Sequence, residues 1–350
     1  MQLSCGWGPR IPGPWVSPTG RFLPLPAPRP VLHNLVGWCR ATLRILSIGE
    51  VLWDVTGAAE YLGGAPLNFS AHARKLGHEV LLLSGVGDDE RGRRALVGLG
   101  KCGLSSEFVD VVPGERTGTA EVELGPDGKP VFRIVRPAAY DFIRLTELHA
   151  RRLVSLQPRW IYVGSLYHTS KRALEFTMKL LGDMPSARAF YDVNLRDGNW
   201  SLATVEQLAS RASVIKLSDS EAEFLDASLN MDGNEASFEH FCRRWSDQYR
   251  CRTICVTFGE RGCGIYTDGT YAEIPGCKVE VADTVGAGDA FSAGFVHGME
   301  QGRDAYRCGA FANAVAAVVA SRPGAIPDWS VEEVTAMLSR GDSERTPHTR

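Results

Sequence analysis

The sequence predicts an α/β fold: a three-layer α/β/α sandwich around a mostly parallel sheet, with a small β-sheet lid beside it. Three observations carry this expectation. Short, solid apolar runs alternate with longer amphipathic stretches along the chain, the pattern of parallel strands joined by crossover helices. Segment 117–136 departs from that pattern and alternates in polarity, as strands with one covered and one solvated face do. The composition, 44% hydrophobic with 37 glycines in 350 residues, supplies a core of that size and many turns.

The apolar run 43–48 closes at Gly49-Glu50 and reads as a first buried strand, which 51–54 would continue. Gly63-Gly64-Ala65-Pro66-Leu67-Asn68 then opens a helix over 69–76, stopped by Gly77. A strand at 80–85 and an amphipathic helix at 89–102, ended by Gly103, follow. Segments 119–124 and 131–135 flank Pro126-Asp127-Gly128-Lys129, which predicts a hairpin with an Asp-Gly turn. Further strands are expected at 160–164, 189–193, 214–217, 253–258 and 264–267, with helices at 145–156, 171–182, 205–212, 221–225 and 238–248. A long helical tract covers 289–301, 304–321 and 331–340. In such sheets ligands bind beyond the carboxyl ends of the strands, and the glycine-punctuated motifs fall there.

Composition narrows the function. A net charge of −3 argues against a broad nucleic-acid or anionic-membrane surface. No apolar run approaches the roughly 18 residues that span a bilayer. The nine cysteines lack zinc-site spacing. Cys255 and Cys263 lie in apolar stretches and read as small core residues, which implies a reducing, cytoplasmic compartment. Residues 1–40 hold eight prolines and four arginines with no acidic residue. They read as a disordered or mis-started extension over 1–41, ahead of a domain at 42–338 and a flexible tail at 339–350. The lid is expected from about 55–64 and 116–139.

Asp283-Thr284-Val285-Gly286-Ala287-Gly288-Asp289 leads into a helix. Glycines allow a tight turn that points several N–H groups at one spot. A helix start adds free donors and partial positive charge, which suits a phosphate. Asp289 at that corner would be repelled by the anion unless it had a task, and deprotonating a hydroxyl that attacks phosphorus is one. No P-loop, Gly-x-Gly-x-x-Gly, His-Glu-x-x-His or Gly-x-Ser-x-Gly element is present.

The string Asp-Thr-x-Gly-Ala-Gly-Asp-x-Phe-x-x-Gly at 283–294 resembles the second signature of the ribokinase/PfkB carbohydrate kinases at every fixed position, and Gly63-Gly64-Ala65-Pro66-x-Asn68 is similar to their first. The resemblance covers about 43–335. It implies an ATP- and Mg²⁺-dependent sugar kinase, with Asp289 as the catalytic base and the backbone N–H groups of Gly286, Ala287 and Gly288 on the transferring phosphoryl group. By the same resemblance Asp54, Gly64 and Asn68 would bind the sugar, and Asp192, Asn194 and Arg196 would face the cleft near sugar and phosphates. Glu221 would position Mg²⁺ through water, and Ser218 stands where the family usually has Asn. Thr257, Gly259 and Gly262 match the nucleotide loop, and Asn313 a position near adenine. Asp283, Val285 and the 321–325 loop resemble a K⁺ site that several members have.

Gly49-Glu50-Val51-Leu52-Trp53-Asp54, the Gly-Gly-Ala-Pro string and Arg136-Pro137-Ala138-Ala139-Tyr140 look most like the bacterial fructokinases of this family. Fructose to fructose 6-phosphate is therefore the expected reaction. 2-Keto-3-deoxygluconate kinase, ribokinase and nucleoside kinase are the alternatives, with a non-catalytic sugar sensor more remote. Arg136 would meet a substrate carboxylate in the first of these, or lie exposed on the flap. The expected partners are the sugar and ATP, with a homodimer through the lid as a further expectation.

Overall fold

The computed structural model describes residues 43–57, 59–124, 130–144, 146–228 and 237–344. The expected extension 1–41, the hairpin turn at 126–129 and the last six residues lie outside them.

Successive side chains of a strand face opposite sides of its sheet, so a strand buried on both faces must be apolar throughout. Six strands are mostly apolar and follow this: β1 (Arg44–Ile48), β4 (Glu79–Gly87), β8 (Trp160–Gly164), β9 (Arg188–Asp192), β10 (Val214–Ser218) and β11 (Thr253–Thr257), with Lys216 and Asp192 as buried charges among them. They pair in parallel in the order β11-β10-β9-β8-β1-β4, and β5 (Val109–Val112) extends that row in parallel. At the opposite edge β12 (Gly262–Thr267) and β13 (Thr270–Pro275) turn antiparallel. Sequence reading missed β5 and β13, because both are short edge strands without a solid apolar run.

Helices cover both faces. On one side α1 (Ala65–Lys75), α8 (Ala287–Glu300), α9 (Ala305–Ala320) and α10 (Val331–Glu344) pack in succession. There Phe69 stacks on Tyr162 with ring centroids 4.0 Å apart, and Phe190 meets Phe295 edge-on. On the other side lie α3 (Glu147–Ser155), α4 (Lys171–Asp183), α5 (Leu202–Ala209), α6 (Asp219–Ser228) and α7 (Phe238–Tyr249). Their Leu153, Leu174, Val205, Leu225 and Trp245 share one core with Ile48, Val163, Leu217 and Val256 of the strands. Helix α10 runs on to Glu344, past the boundary expected at 338; its sequence carries no Pro. Cys255 and Cys263 are fully buried thiols within this framework.

Segment 51–54 does not continue the first strand. Gly49 has φ 149°, and a Cβ there would lie 2.6 Å from Pro66 Cγ of α1. The backbone must turn at this close approach, so β2 (Leu52–Thr56) leaves the main sheet. It pairs with β3 (Ala59–Gly63) and with β6 (Gly118–Leu124), which pairs in turn with β7 (Pro130–Val135). This second sheet, in the order β3-β2-β6-β7, is the expected lid. It is docked on α2 (Glu90–Lys101): Glu60 takes Arg91 and Arg94 at 2.6 Å each, and the Arg94 guanidinium lies 4.3 Å over the Trp53 ring.

Candidate active site

The Gly-Ala-Gly-Asp string opens α8. Gly286 caps the helix with φ 78°, and a Cβ on it would lie 2.4 Å from Ala325 O, so only glycine fits. The first-turn amides of Ala287, Gly288 and Asp289 have no acceptor within the helix, and that of Ala287 donates to Thr284 O just before it at 3.3 Å. Gly286 stays in place because the 322–325 loop is tied down twice. Asp283 accepts N–H bonds from Val285 and Gly324 at 3.0 Å each, and His72 of α1 donates from Nε2 to Ala325 O at 3.0 Å. Trp329 Nε1 donates to His72 Nδ1, which fixes that tautomer, and burial holds the ring neutral with its pKa down at about 4.

Asp289 sits in the first turn of α8 and accepts a hydrogen bond of 2.9 Å from Asn68 Nδ2. Burial, followed by the nearby Asp192 carboxylate, pushes its pKa up to about 7, against the pull of Asn68, Lys216 and Arg196. Asn68 lies in the first turn of α1, after Gly64 with φ 112°. Its Oδ1 is buried without a hydrogen-bond partner in the protein. Asp54 reaches the same place from β2. A side chain on Gly63 would meet Asp54 Oδ2 at 2.7 Å and Asn68 Oδ1 at 4.0 Å, so the two oxygens face one gap. Burial raises the Asp54 pKa to about 6. Two carboxylates and an amide therefore come together where the lid meets the main sheet.

Arg196, exposed after β9, exerts its charge on Asp54, Glu50 and Asp289. Asn194, at the same strand end, adopts φ 40°. Glu221 joins the neighbouring loops, taking Leu195 N at 2.6 Å on one oxygen and Ser218 N at 2.8 Å on the other. Ser218 also bonds Glu221 through its hydroxyl. Thr257 ends β11, and Gly259 and Gly262 form the left-handed turns into β12, at the same carboxyl edge of the sheet. Val285 is 36% exposed beside the corner.

Three expected site residues are engaged elsewhere. Arg136 is not an exposed flap residue: it binds the Asp141 carboxylate and donates to Leu166 O at 2.8 Å. Asp192 is fully buried behind the first turn of α8, bonded to Tyr162, Lys216 and Ser292. Asn313 is buried and donates to the Ile274 and Pro275 carbonyls, which ties α9 to β13. In each case a closer internal partner satisfies the polar group that the motif offered to a ligand.

Two residues escaped sequence reading. Glu50, 4% exposed, accepts from Ala65 N at 3.2 Å and leaves Oε2 buried without a protein partner. Burial raises its pKa to about 7. Lys216, 7% exposed, pairs with Asp192. The available signal was a single charge ending or interrupting an otherwise apolar strand.

Residues 39–332 match the family described as pfkB family carbohydrate kinase. A probable fructokinase-5 from Arabidopsis thaliana is 30% identical over 312 residues, which cover 81% of this chain and 93% of that protein. Fructokinase-2 of Solanum lycopersicum is 30% identical over 266 residues, 71% of this chain and 79% of its own. Among solved structures, a fructokinase with bound ATP from Xylella fastidiosa superposes with a TM-score of 0.75 at 24% identity, covering 85% of this chain and 99% of that one. A fructokinase from Vibrio cholerae O395 in fructose, ADP and calcium ion bound form superposes at 0.71 with 23% identity, over 85% and 99% of the two chains.

Proposed function

The chain belongs to the pfkB family of carbohydrate kinases, and on that premise we propose that it phosphorylates fructose, from ATP, to fructose 6-phosphate. The observation that carries the mechanism is the position of Asp289. It is a carboxylate with its pKa raised to about 7, in the first turn of a helix whose N-terminal end suits a phosphate.

Asp289 takes the proton of the sugar's primary hydroxyl. That oxygen bonds to the γ-phosphorus as the bridging P–O bond to ADP breaks, and the amides of Gly286, Ala287 and Gly288 hold the charge on the transferring oxygens. Asp54 accepts hydroxyl hydrogen bonds from the sugar, and Asn68 Oδ1 accepts another while its Nδ2 keeps Asp289 aimed. Arg196 balances the phosphate charge. Thr257, Gly259 and Gly262 line the nucleotide side, with Ser218 beside them.

Mg²⁺ keeps most of its waters and binds through substrate phosphates with one or two carboxylates. Glu221 is the carboxylate placed to meet such a water, its lone pairs partly spent on backbone amides. The bound ion would neutralise phosphate charge. The loops clamped by Asp283 are the expected place of K⁺, tested by comparing KCl with NaCl at equal ionic strength. The lid's edge strand β3 exposes Tyr61 at 59% and offers a surface to a second copy of the chain, which light scattering tests. No helix among the described residues is long and apolar enough to cross a membrane, and the buried thiols favour the cytoplasm.

A coupled ADP-release assay across fructose, ribose, 2-keto-3-deoxygluconate, tagatose and adenosine tests the reading. Fructose is expected to give the highest kcat/KM, and a better result with another acceptor overturns that assignment.

A further inference from the structure

Lys216 and Asp192 form a buried ion pair beneath the phosphate corner that the mechanism above leaves without a task. Lys216 Nζ lies 3.1 Å and 3.3 Å from the two Asp192 oxygens. It lies equally near the corner, since a Cβ on Gly288 would sit 3.1 Å from Nζ. Asp192 also accepts from Tyr162 and Ser292 at 3.1 Å each. Ser292 Oγ lies 3.0 Å from Gly288 O as well, and its single proton can serve only one of the two at a time.

A buried ion pair is weak as a stabiliser, because desolvating both charges costs about as much as their attraction returns. Well-packed apolar residues would serve a purely structural purpose as well. The position of this pair is what differs from a filler, because both charges lie against the first turn of α8.

We propose that Lys216 is a positioning residue for phosphoryl transfer: its ammonium, pinned by Asp192 behind Gly288, holds the floor of the anion corner and, opposed by Asp192, sets the charge state of Asp289. The inference rests on Asp289 being the base. Facing Asp289 are Asn68 from α1, Glu50 after β1, Tyr162 from β8, Asp192 from β9, Arg196 beyond it and Lys216 from β10. Of these, Asp192 raises the Asp289 pKa while Lys216 and Arg196 lower it. Lys216 also feels Glu221. The two members of one ion pair thus act on the base in opposite directions.

The test is the acid limb of kcat/KM for the sugar against pH, at saturating ATP. Asp192→Asn is expected to move that limb to lower pH and Lys216→Met to higher pH, each by about one unit, the usual scale for one nearby charge. Lys216→Met combined with Asp192→Asn removes both charges without stranding either. It is expected to fold, to keep the sugar KM within about twofold, to lose at least about tenfold in kcat, and to bring the limb back between those of the single variants. Should Lys216→Met fail to fold, Asp192→Asn and the double variant still decide: a limb unmoved by Asp192→Asn, or wild-type kcat in the double variant, overturns the inference. Asp289→Asn runs alongside. If that variant keeps wild-type turnover, the reading of Asp289 as base falls first. If it is inactive while the limbs stay put, only the role of Lys216 falls.

Discussion

A carboxylate proposed as a base, such as Asp289, works against the stability of its own fold when burial raises its pKa. The pKa of Asp289 is about 7 in the folded chain, against 3.8 for an ordinary aspartate. The native state therefore binds that proton more tightly than the unfolded chain, and this group's contribution to stability declines as pH rises from about 4 to about 7. Asp289→Asn removes the charge but keeps the shape. It is expected to lower kcat by about 10²–10⁴ while raising Tm at pH 8, with little change in Tm at pH 4, as calorimetry at both values would show. A lower Tm at pH 8 would contradict the account. The wild-type acid limb should lie near pH 7, because only the ionised base accepts the hydroxyl proton. Asp289 and its glycines were legible in the sequence because their backbone needs are local. The internal partners of Asp192, Arg136 and Asn313 were not legible, because a motif shows residue type, and which neighbour satisfies a buried polar group depends on packing that spacing does not reveal. Lys216 and Glu50 were missed for the converse reason: nothing local distinguishes a buried charge from a strand-end one.

At the scale of the element, the start of α8 depends on one glycine. Gly286→Ala places a Cβ against Ala325 O in a left-handed conformation. Unfolding in urea should show a loss of about 1–3 kcal/mol, with a fall in kcat as the amides of the first turn move; unchanged values of both would mean the loop yields freely. The lid contributes through its docking. Glu60→Ala releases Arg91 and Arg94 from β3. These ions are partly exposed, so Tm should barely move, yet a looser lid admits water to the pocket. Sugar-independent ATP hydrolysis is expected to rise and the sugar KM to increase several-fold, both readable by ADP release with and without fructose. Most elements could be read from hydrophobic runs and glycine stops, because strands buried on both faces and amphipathic helices carry strong periodic signals. Edge strands β5 and β13 and the turn at Gly49 could not, since each depends on a partner distant in sequence.

On the scale of the whole molecule, the pocket is shared between two sheets: Asp54 comes from the lid, and Asn68 and Asp289 from helices on the main sheet. A sugar that bridges them should raise Tm, by linkage. Asp54→Ala should abolish the fructose-induced rise and raise the sugar KM far more than the ATP KM, while the ATP-induced rise persists; equal effects on both ligands would count against the division. The order of strands and helices was readable from the chain, but the existence of a second sheet assembled from two distant segments was visible only as an oddly alternating hairpin. Those segments, β2–β3 between β1 and α1 and β6–β7 between β5 and the turn at Ala139–Phe142, are excursions that leave the main sheet and return to it. Residues inserted or replaced within either excursion therefore reshape the lid side of the pocket without breaking the strand order of the main sheet.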